Sequence, residues 1–170
     1  MESKIAKLLQ IGIVVEDLDA AVKNYEEMFG IGPWHIGRLN TQEFPKLTVD
    51  GKPTDFDMRV AMCQCFGMQV ELMQPMSEGA FMKWLKEHGP GIHHIALITK
   101  DPFKQVITDY KEFTGKEPWL HAKDIGAPEG RNLEFAYLDL RKEMGIFMEI
   151  YPEHVEKYHE GNIGGHPFAP

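Results

Sequence analysis

The stretch QIGIVVEDLDAAVKNYEEMFGIGPW, residues 10–34, has a second copy in the same chain: HIALITKDPFKQVITDYKEFTGKEPW, residues 94–119. Laid one over the other, Gln10 meets His94, Asp17 meets Asp101 and Val22 meets Val106, an offset of 84 residues. After one inserted residue Gly30 meets Gly115, Pro33 meets Pro118 and Trp34 meets Trp119, an offset of 85. Self-similarity at a fixed offset marks a duplicated structural unit. Each copy opens on a short β-branched run, IGIVV or IALIT, as a buried strand does. Asp17 and Asp101 stand where a helix is capped, and Pro102 suits a first helical position. Leu18, Ala21, Val22, Tyr25, Met28 and Phe29 recur at helical spacing; Phe103, Val106, Ile107, Tyr110 and Phe113 do the same. Gly30 and Gly115 suit helix C-termini. The matched Trp34 and Trp119 read as large structural aromatics, with Trp34 and His35 able to edge a cavity.

Working outward, three strands are predicted after each helix: near 34–39, 57–65 and 68–74 in the first half, and near 119–124, 133–139 and 146–151 in the second. Each half is then β-α-β-β-β, and the fold class is α+β. The expected organisation is a single domain over residues 1–170: module one about 8–76, a linking helix 77–88, module two about 92–152 and a tail 153–170. The linking helix turns Phe81, Trp84 and Leu85 inward, and GPG at 89–91 marks the hinge. Residues 40–56 read as a loop, and the closing GNIGGHPFAP has no periodicity.

The chain has 170 residues, 43% of them hydrophobic, enough for one core shared by two halves. Its net charge of −8 argues against nucleic acid and anionic membrane surfaces as partners. The N-terminal apolar run is broken by Lys4, Lys7 and Gln10, unlike a signal peptide, and a cytoplasmic location is expected. Cys63 and Cys65 share a strand face and read as reduced core thiols.

The last strands of the two halves also correspond. MQVELMQP (68–75) resembles IFMEIYP (146–152), and Glu71 and Glu149 each sit inside an apolar run. A carboxylate there is costly to bury unless it is paired or metal-bound. Each module thus contributes a polar residue on its first strand and a glutamate on its last: Gln10, Glu71, His94 and Glu149. If the two first strands pair about a pseudo-two-fold, these four converge. One imidazole, one amide oxygen and two carboxylates suit Zn, Co, Ni or Mn with positions left open. The alternative is four unrelated residues: a satisfied core histidine, a surface glutamine and two ion-paired glutamates.

QIGIVVEDLDAAVKNYEEMFG, VELMQP, GPGIHHIAL and MEIYP together resemble the vicinal oxygen chelate superfamily (glyoxalase, bleomycin resistance, dioxygenase), and within it the methylmalonyl-CoA epimerase branch. The resemblance runs from near residue 8 to residue 152. It implies a curved mixed sheet around a central cavity and a homodimer. It makes Gln10, Glu71, His94 and Glu149 ligands of a divalent metal, Co, Zn, Ni or Mn. His94 faces the metal, and strand alternation then sends His93 to the opposite face, as a packing residue or a support for the ligands. Most such epimerases carry histidine where this chain has Gln10; some glyoxalase I enzymes carry glutamine there. The implied activity is epimerisation or racemisation at a carbon α to a carbonyl, by proton abstraction through an enolate. Glu149 serves as ligand and base. Asp55 is a second catalytic candidate, with Asp57 its near alternative and a solvated loop acid the bland reading of both. The substrate is a small-molecule carbonyl compound, either a methylmalonyl-CoA-like thioester or a hydrophobic or aromatic ketone. Rival readings are a glyoxalase-I-like lyase and a non-catalytic small-molecule binding protein of the bleomycin-resistance kind. A dioxygenase, which wants two histidines and a carboxylate on iron, fits less well.

Overall fold

The computed structural model describes residues 3–40, 46–100, 102–125 and 133–153. In chain order the elements are β1 (Ile5–Val14), α1 (Leu18–Phe29), β2 (His35–Asn40), β3 (Lys46–Val49), β4 (Lys52–Pro53), β5 (Asp57–Cys65), β6 (Met68–Pro75), α2 (Ala80–His88), β7 (Gly91–Thr99), α3 (Phe103–Thr114), β8 (Leu120–Ile125), β9 (Leu133–Leu140), α4 (Arg141–Met144) and β10 (Ile146–Tyr151). The strands form one mixed sheet in the order β2-β5-β6-β1-β7-β10-β9-β8-β3-β4.

Chain connectivity forces this sheet to curl. In a flat sheet the eight spacings from β2 to β3 would span about 38 Å. Yet only residues 41–45 join Asn40 to Lys46, and six Cα steps reach at most about 22 Å. The sheet is therefore a deep cup. Its hollow face carries the main core, including Leu9, Val14, Met58, Val60, Met73, Ala96, Ile98, Leu120, Phe135 and Tyr137. Phe81 of α2 plugs into the same cluster, with Trp84 and Leu85 packed beside it. The outer face takes the other two helices. Leu18 and Val22 of α1 pack on Ala61 and Leu72; Phe103, Ile107 and Tyr110 of α3 pack on Ala136, Leu138 and Ile150.

The expected loop over 40–56 contains the hairpin β3/β4, and β3 adds to β8 at the far edge of the second half, Thr48 opposite His121. LTV is too short a run to stand out from its polar surroundings. The linking helix starts at Ala80, three residues later than expected. Asp17 caps α1 as expected, accepting a hydrogen bond from the Ala20 N–H at 3.0 Å. Pro102 takes the cap position of α3 rather than the first helical position, and Asp101 lies outside the described residues, as do residues 154–170 of the tail.

The helices are offset by 85 residues throughout, so the inserted residue enters before the helix. Leu18 then matches Phe103 and Val22 matches Ile107, all four buried, instead of Val22 matching Val106. Met28, Phe29 and Phe113, counted in the apolar stripes, are 72%, 70% and 71% exposed. The two tryptophans also part company. Trp34 packs outside the cup on Tyr25, its indole N–H bonded to the Ile31 carbonyl at 2.8 Å. Trp119 packs in the hollow against Phe81 and Phe147. Cys63 and Cys65 are free thiols. No described helix is long and apolar enough to cross a membrane.

Because Phe81 closes the hollow, Phe81→Ala should cost about 3–5 kcal/mol, read as a lowered urea midpoint. A loss below about 1 kcal/mol would show that α2 is a loosely attached cover and not part of the core.

Candidate functional site

At the centre of the sheet β1 and β7 run antiparallel, Gly12 opposite His94 and Gln10 opposite Ala96. In the repeat His94 and Ala96 are the counterparts of Gln10 and Gly12, so the two rungs exchange about a two-fold axis between them. The flanking strands obey the same symmetry. β6 lies parallel to β1 with Glu71 opposite Gly12, and β10 lies parallel to β7 with Glu149 opposite Ala96. The four residues singled out from the repeat thus occupy equivalent positions on the four central strands, and all four are buried.

The β1–β7 ladder is irregular at three places, and two of them are matched. Between the Leu8–Leu97 and Gln10–Ala96 rungs β1 carries an extra residue, Leu9; between Gly12–His94 and Ile13–Ile92 β7 carries an extra residue, His93. A bulge re-aims a side chain that alternation would send outward. Leu9 and Gln10 therefore both enter the cup, and so do His93 and His94. The expectation that His93 faces the other way is corrected here. Its ring packs among Phe81, Trp84, Trp119, Tyr137 and Phe147, with ring centroids 4.7 to 5.8 Å away. Its Nδ1 lies 3.3 Å from Nδ1 of His94. Burial in this box pushes the His93 pKa well down, aided by repulsion from His94, so His93 is neutral.

His94 turns its other nitrogen to oxygens. Nε2 stands 3.1 Å from Glu149 Oε2, 3.5 Å from Gln10 Oε1 and 3.7 Å from Glu71 Oε2. Neighbours hold these groups. The Gln10 amide N–H donates to Gln69 Oε1 at 2.7 Å, which leaves its oxygen toward His94. Tyr151 donates its hydroxyl proton to Glu149 Oε1 at 2.9 Å. Glu149 Oε2 has no hydrogen-bond partner; its approach to His94 is not aligned as a hydrogen bond. Burial pushes the Glu71 pKa well up, and the Glu149 charge adds to this. Burial, then the Glu149 and Glu71 charges, push up Tyr137 and Tyr151, which remain protonated donors. Gly12 makes room for His94: a Cβ at Gly12 would stand 1.9 Å from His94 Cε1. Sequence reasoning missed Gly12, Gln69, Tyr137 and Tyr151. Gln69 and Tyr151 each lie two residues from a predicted glutamate and share its strand face.

Two carboxyl groups buried around one imidazole are a costly arrangement, and an unpartnered carboxylate oxygen adds to the cost. A divalent cation would relieve both. Oxygens sharing a metal with an imidazole nitrogen at about 2.0–2.2 Å each stand roughly 3 to 3.5 Å from that nitrogen. Glu149 and Gln10 meet this spacing and Glu71 stands slightly back. Among the described residues no three His, Cys, Asp or Glu side chains form a ready-made cage; the set relies on the Gln10 amide and on a small advance of Glu71. With that advance, the donor set suits a hard-to-borderline metal.

Asp55 is exposed, ahead of β5, and is not among the residues brought together. Asp57 is held in a two-pronged ion pair with Arg38, which lowers its pKa, and it alternates with Met58 and Val60, which face the hollow. Beside Glu71 the hollow leaves a cavity of about 20 Å³, room for roughly one water molecule. Leu39, Phe56, Met58, Phe81 and Phe135 are among its walls, with Glu71 and Tyr137.

Two outcomes are expected. Gly12→Ala should displace the His94 ring and cost about 1–3 kcal/mol, measured by urea denaturation; unchanged stability would mean the ring has another place to go. In protein stripped of divalent cations, Glu71→Gln should raise stability at pH 7–8. A carboxyl whose folded pKa is raised binds more protons folded than unfolded, so stability falls as pH rises above 4.5 toward that folded value. The advantage of Glu71→Gln should therefore vanish near pH 4. A difference independent of pH would show that Glu71 does not titrate in this way.

Residues 9–126 match the profile of the glyoxalase/bleomycin resistance protein/dioxygenase superfamily. Among solved structures, methylmalonyl-CoA epimerase from Mycobacterium tuberculosis shares 21% identity at a TM-score of 0.60, covering 89% of this chain and 91% of that one. A Streptomyces coelicolor methylmalonyl-CoA epimerase variant in complex with 2-nitronate-propionyl-CoA shares 22% at 0.57, covering 87% and 97%. A hypothetical protein from Bacillus halodurans shares 22% at 0.59, covering 86% and 93%. No curated protein matches the chain. At these identities the structural likeness speaks for the fold, and the profile, with the duplicated module and its curled sheet, speaks for the family: the chain belongs to the glyoxalase/bleomycin resistance protein/dioxygenase superfamily.

Proposed function

We propose that the protein is a metal-dependent epimerase or racemase acting at a carbon α to a carbonyl. The observation that carries this reading is the buried His94 Nε2 facing oxygens of Glu149, Gln10 and Glu71 at symmetry-related places. Gln10, Glu71, His94 and Glu149 would hold the cation. When bound, the cation supplies Lewis-acid polarisation of a carbonyl oxygen, which acidifies the α-carbon. Glu149 is the proposed base. Its Oε1 is held by Tyr151, so Oε2 is the oxygen that would alternate between holding the cation and taking the proton. Glu71, across the β1–β7 pair from Glu149, is the proposed group for returning a proton on the other side. Asp55 would have to reach the hollow past Phe56, which packs against the core, and takes second place to this pair.

The cavity beside Glu71 has no lysine or arginine in its lining and is mostly apolar. It has room for only about one water, whereas a larger cavity of about 360 Å³ beside α2 has Lys83 and Arg141 among its walls. The proposed substrate is therefore either a hydrophobic or aromatic ketone or a coenzyme A thioester, whose phosphates want cations. The epimerases that share its fold lend the reaction type; a homodimer and a cytoplasmic location complete the proposal. The rival reading is a non-catalytic binding protein, favoured by the absence of a ready-made three-residue cage among the described residues.

Elemental mass spectrometry on untagged protein should find about one divalent metal per chain, lost in His94→Ala. In deuterium oxide the enzyme should exchange the α-proton of a ketone substrate, and Glu149→Gln should slow that exchange roughly 10²–10⁴-fold. No metal after incubation with Co, Ni, Zn or Mn, together with tight binding of an unexchanged ligand, would transfer the protein to the binding class.

A further inference from the structure

The two matched bulges hold different residues. In the first module the extra residue is Leu9, an apolar side chain packed in the hollow. In the second it is His93. Packing alone is therefore satisfied by leucine at this place, and the nitrogens of His93 need another reason.

Only one proton can lie between His93 Nδ1 and His94 Nδ1, which are 3.3 Å apart. Which ring supplies it follows from the far side of His93. Its Nε2 is buried and has no hydrogen-bond partner, in a box of aromatic rings. An N–H can lie against an aromatic face, whereas a bare imidazole lone pair there has lost water and gained nothing. With a single proton on His93, that proton belongs on Nε2, and its Nδ1 is an acceptor. His94 then donates the proton on its Nδ1, which leaves Nε2 as the nitrogen that faces the oxygens of Glu149, Gln10 and Glu71.

We propose that His93 is a positioning residue: its Nδ1 accepts the Nδ1 proton of His94 and fixes the tautomer in which His94 Nε2 can coordinate a divalent metal. This rests on the metal reading above, but its first test does not need metal. In protein labelled with ¹⁵N-histidine and treated with EDTA, long-range ¹H–¹⁵N spectra report which ring nitrogen is protonated. The expected result is His93 protonated at Nε2 and His94 at Nδ1; the reverse pair overturns the proposal, whether or not the protein binds metal. The second test compares variants in Co and Zn titrations. His93→Leu, the side chain of the first module, should weaken affinity about 10–100-fold. His93→Asn, whose amide oxygen can replace the Nδ1 acceptor, should restore most of it. Wild-type affinity in a folded His93→Leu protein would overturn the proposal while leaving the metal reading intact. A wild type that binds no metal would remove the metal reading, and the tautomers would still decide the role of His93.

Discussion

Everything in this molecule is organised about the antiparallel seam between β1 and β7. The seam is where the two modules meet, and its two-fold relation lays Gln10 beside His94 and Glu71 across from Glu149. Backbone hydrogen bonding sets those positions before any side chain chooses a rotamer. The bulges then add what a regular ladder cannot supply: two consecutive side chains entering the hollow from each first strand. Without them Leu9 and His93 would face the outer layer, and His94 would lose its neighbour at Nδ1.

The seam also concentrates charge where water is absent. Glu71 and Glu149 come from strands whose alternate residues are apolar, so each carboxylate is surrounded by core. Polar groups two residues away on the same strands support the donors: Gln69, on the strand of Glu71, accepts from the Gln10 amide, and Tyr151 donates to Glu149. These hold the donors in place without neutralising them. Gly12 completes the arrangement by omission, since any larger residue would occupy the volume of the imidazole. A fold that kept such groups only for stability would do better with leucines.

Much of this was legible in the sequence because duplication doubles every weak signal. One buried glutamate in a strand says little; two at matched places, with Gln10 and His94 matched as well, mark a site. Of the described elements, three of the four helices and eight of the ten strands follow from periodicity and breakers. What stayed hidden has a common cause: it depends on contacts distant in sequence. His93 obeys strand alternation locally and breaks it only because β1 and β7 slip by one residue. The β3 strand is four residues of loop-like composition that becomes a strand by finding β8. The phase of α3 is set by which residues meet β9 and β10, and Phe103 and Ile107 win those places over the residues that a simple offset selects. Asp55 was placed by matching across a variable stretch, and nothing local said which way it would face.

The crossing from β2 to β3 ties the halves together as well as curling the sheet. A strand from the first module completes the edge of the second, with Thr48 paired to a residue 73 positions later. The modules are therefore not separable in the way their sequences suggest: dividing the chain at the linking helix leaves β8 paired with β9 alone, its other edge open. In kinetic terms this is a high-contact-order closure. The seam itself joins residues 84 apart, and the edge cannot form until both modules are present. Folding should end with the cup drawing shut, and the hollow, with its buried carboxylates, is the last part of the molecule to lose water.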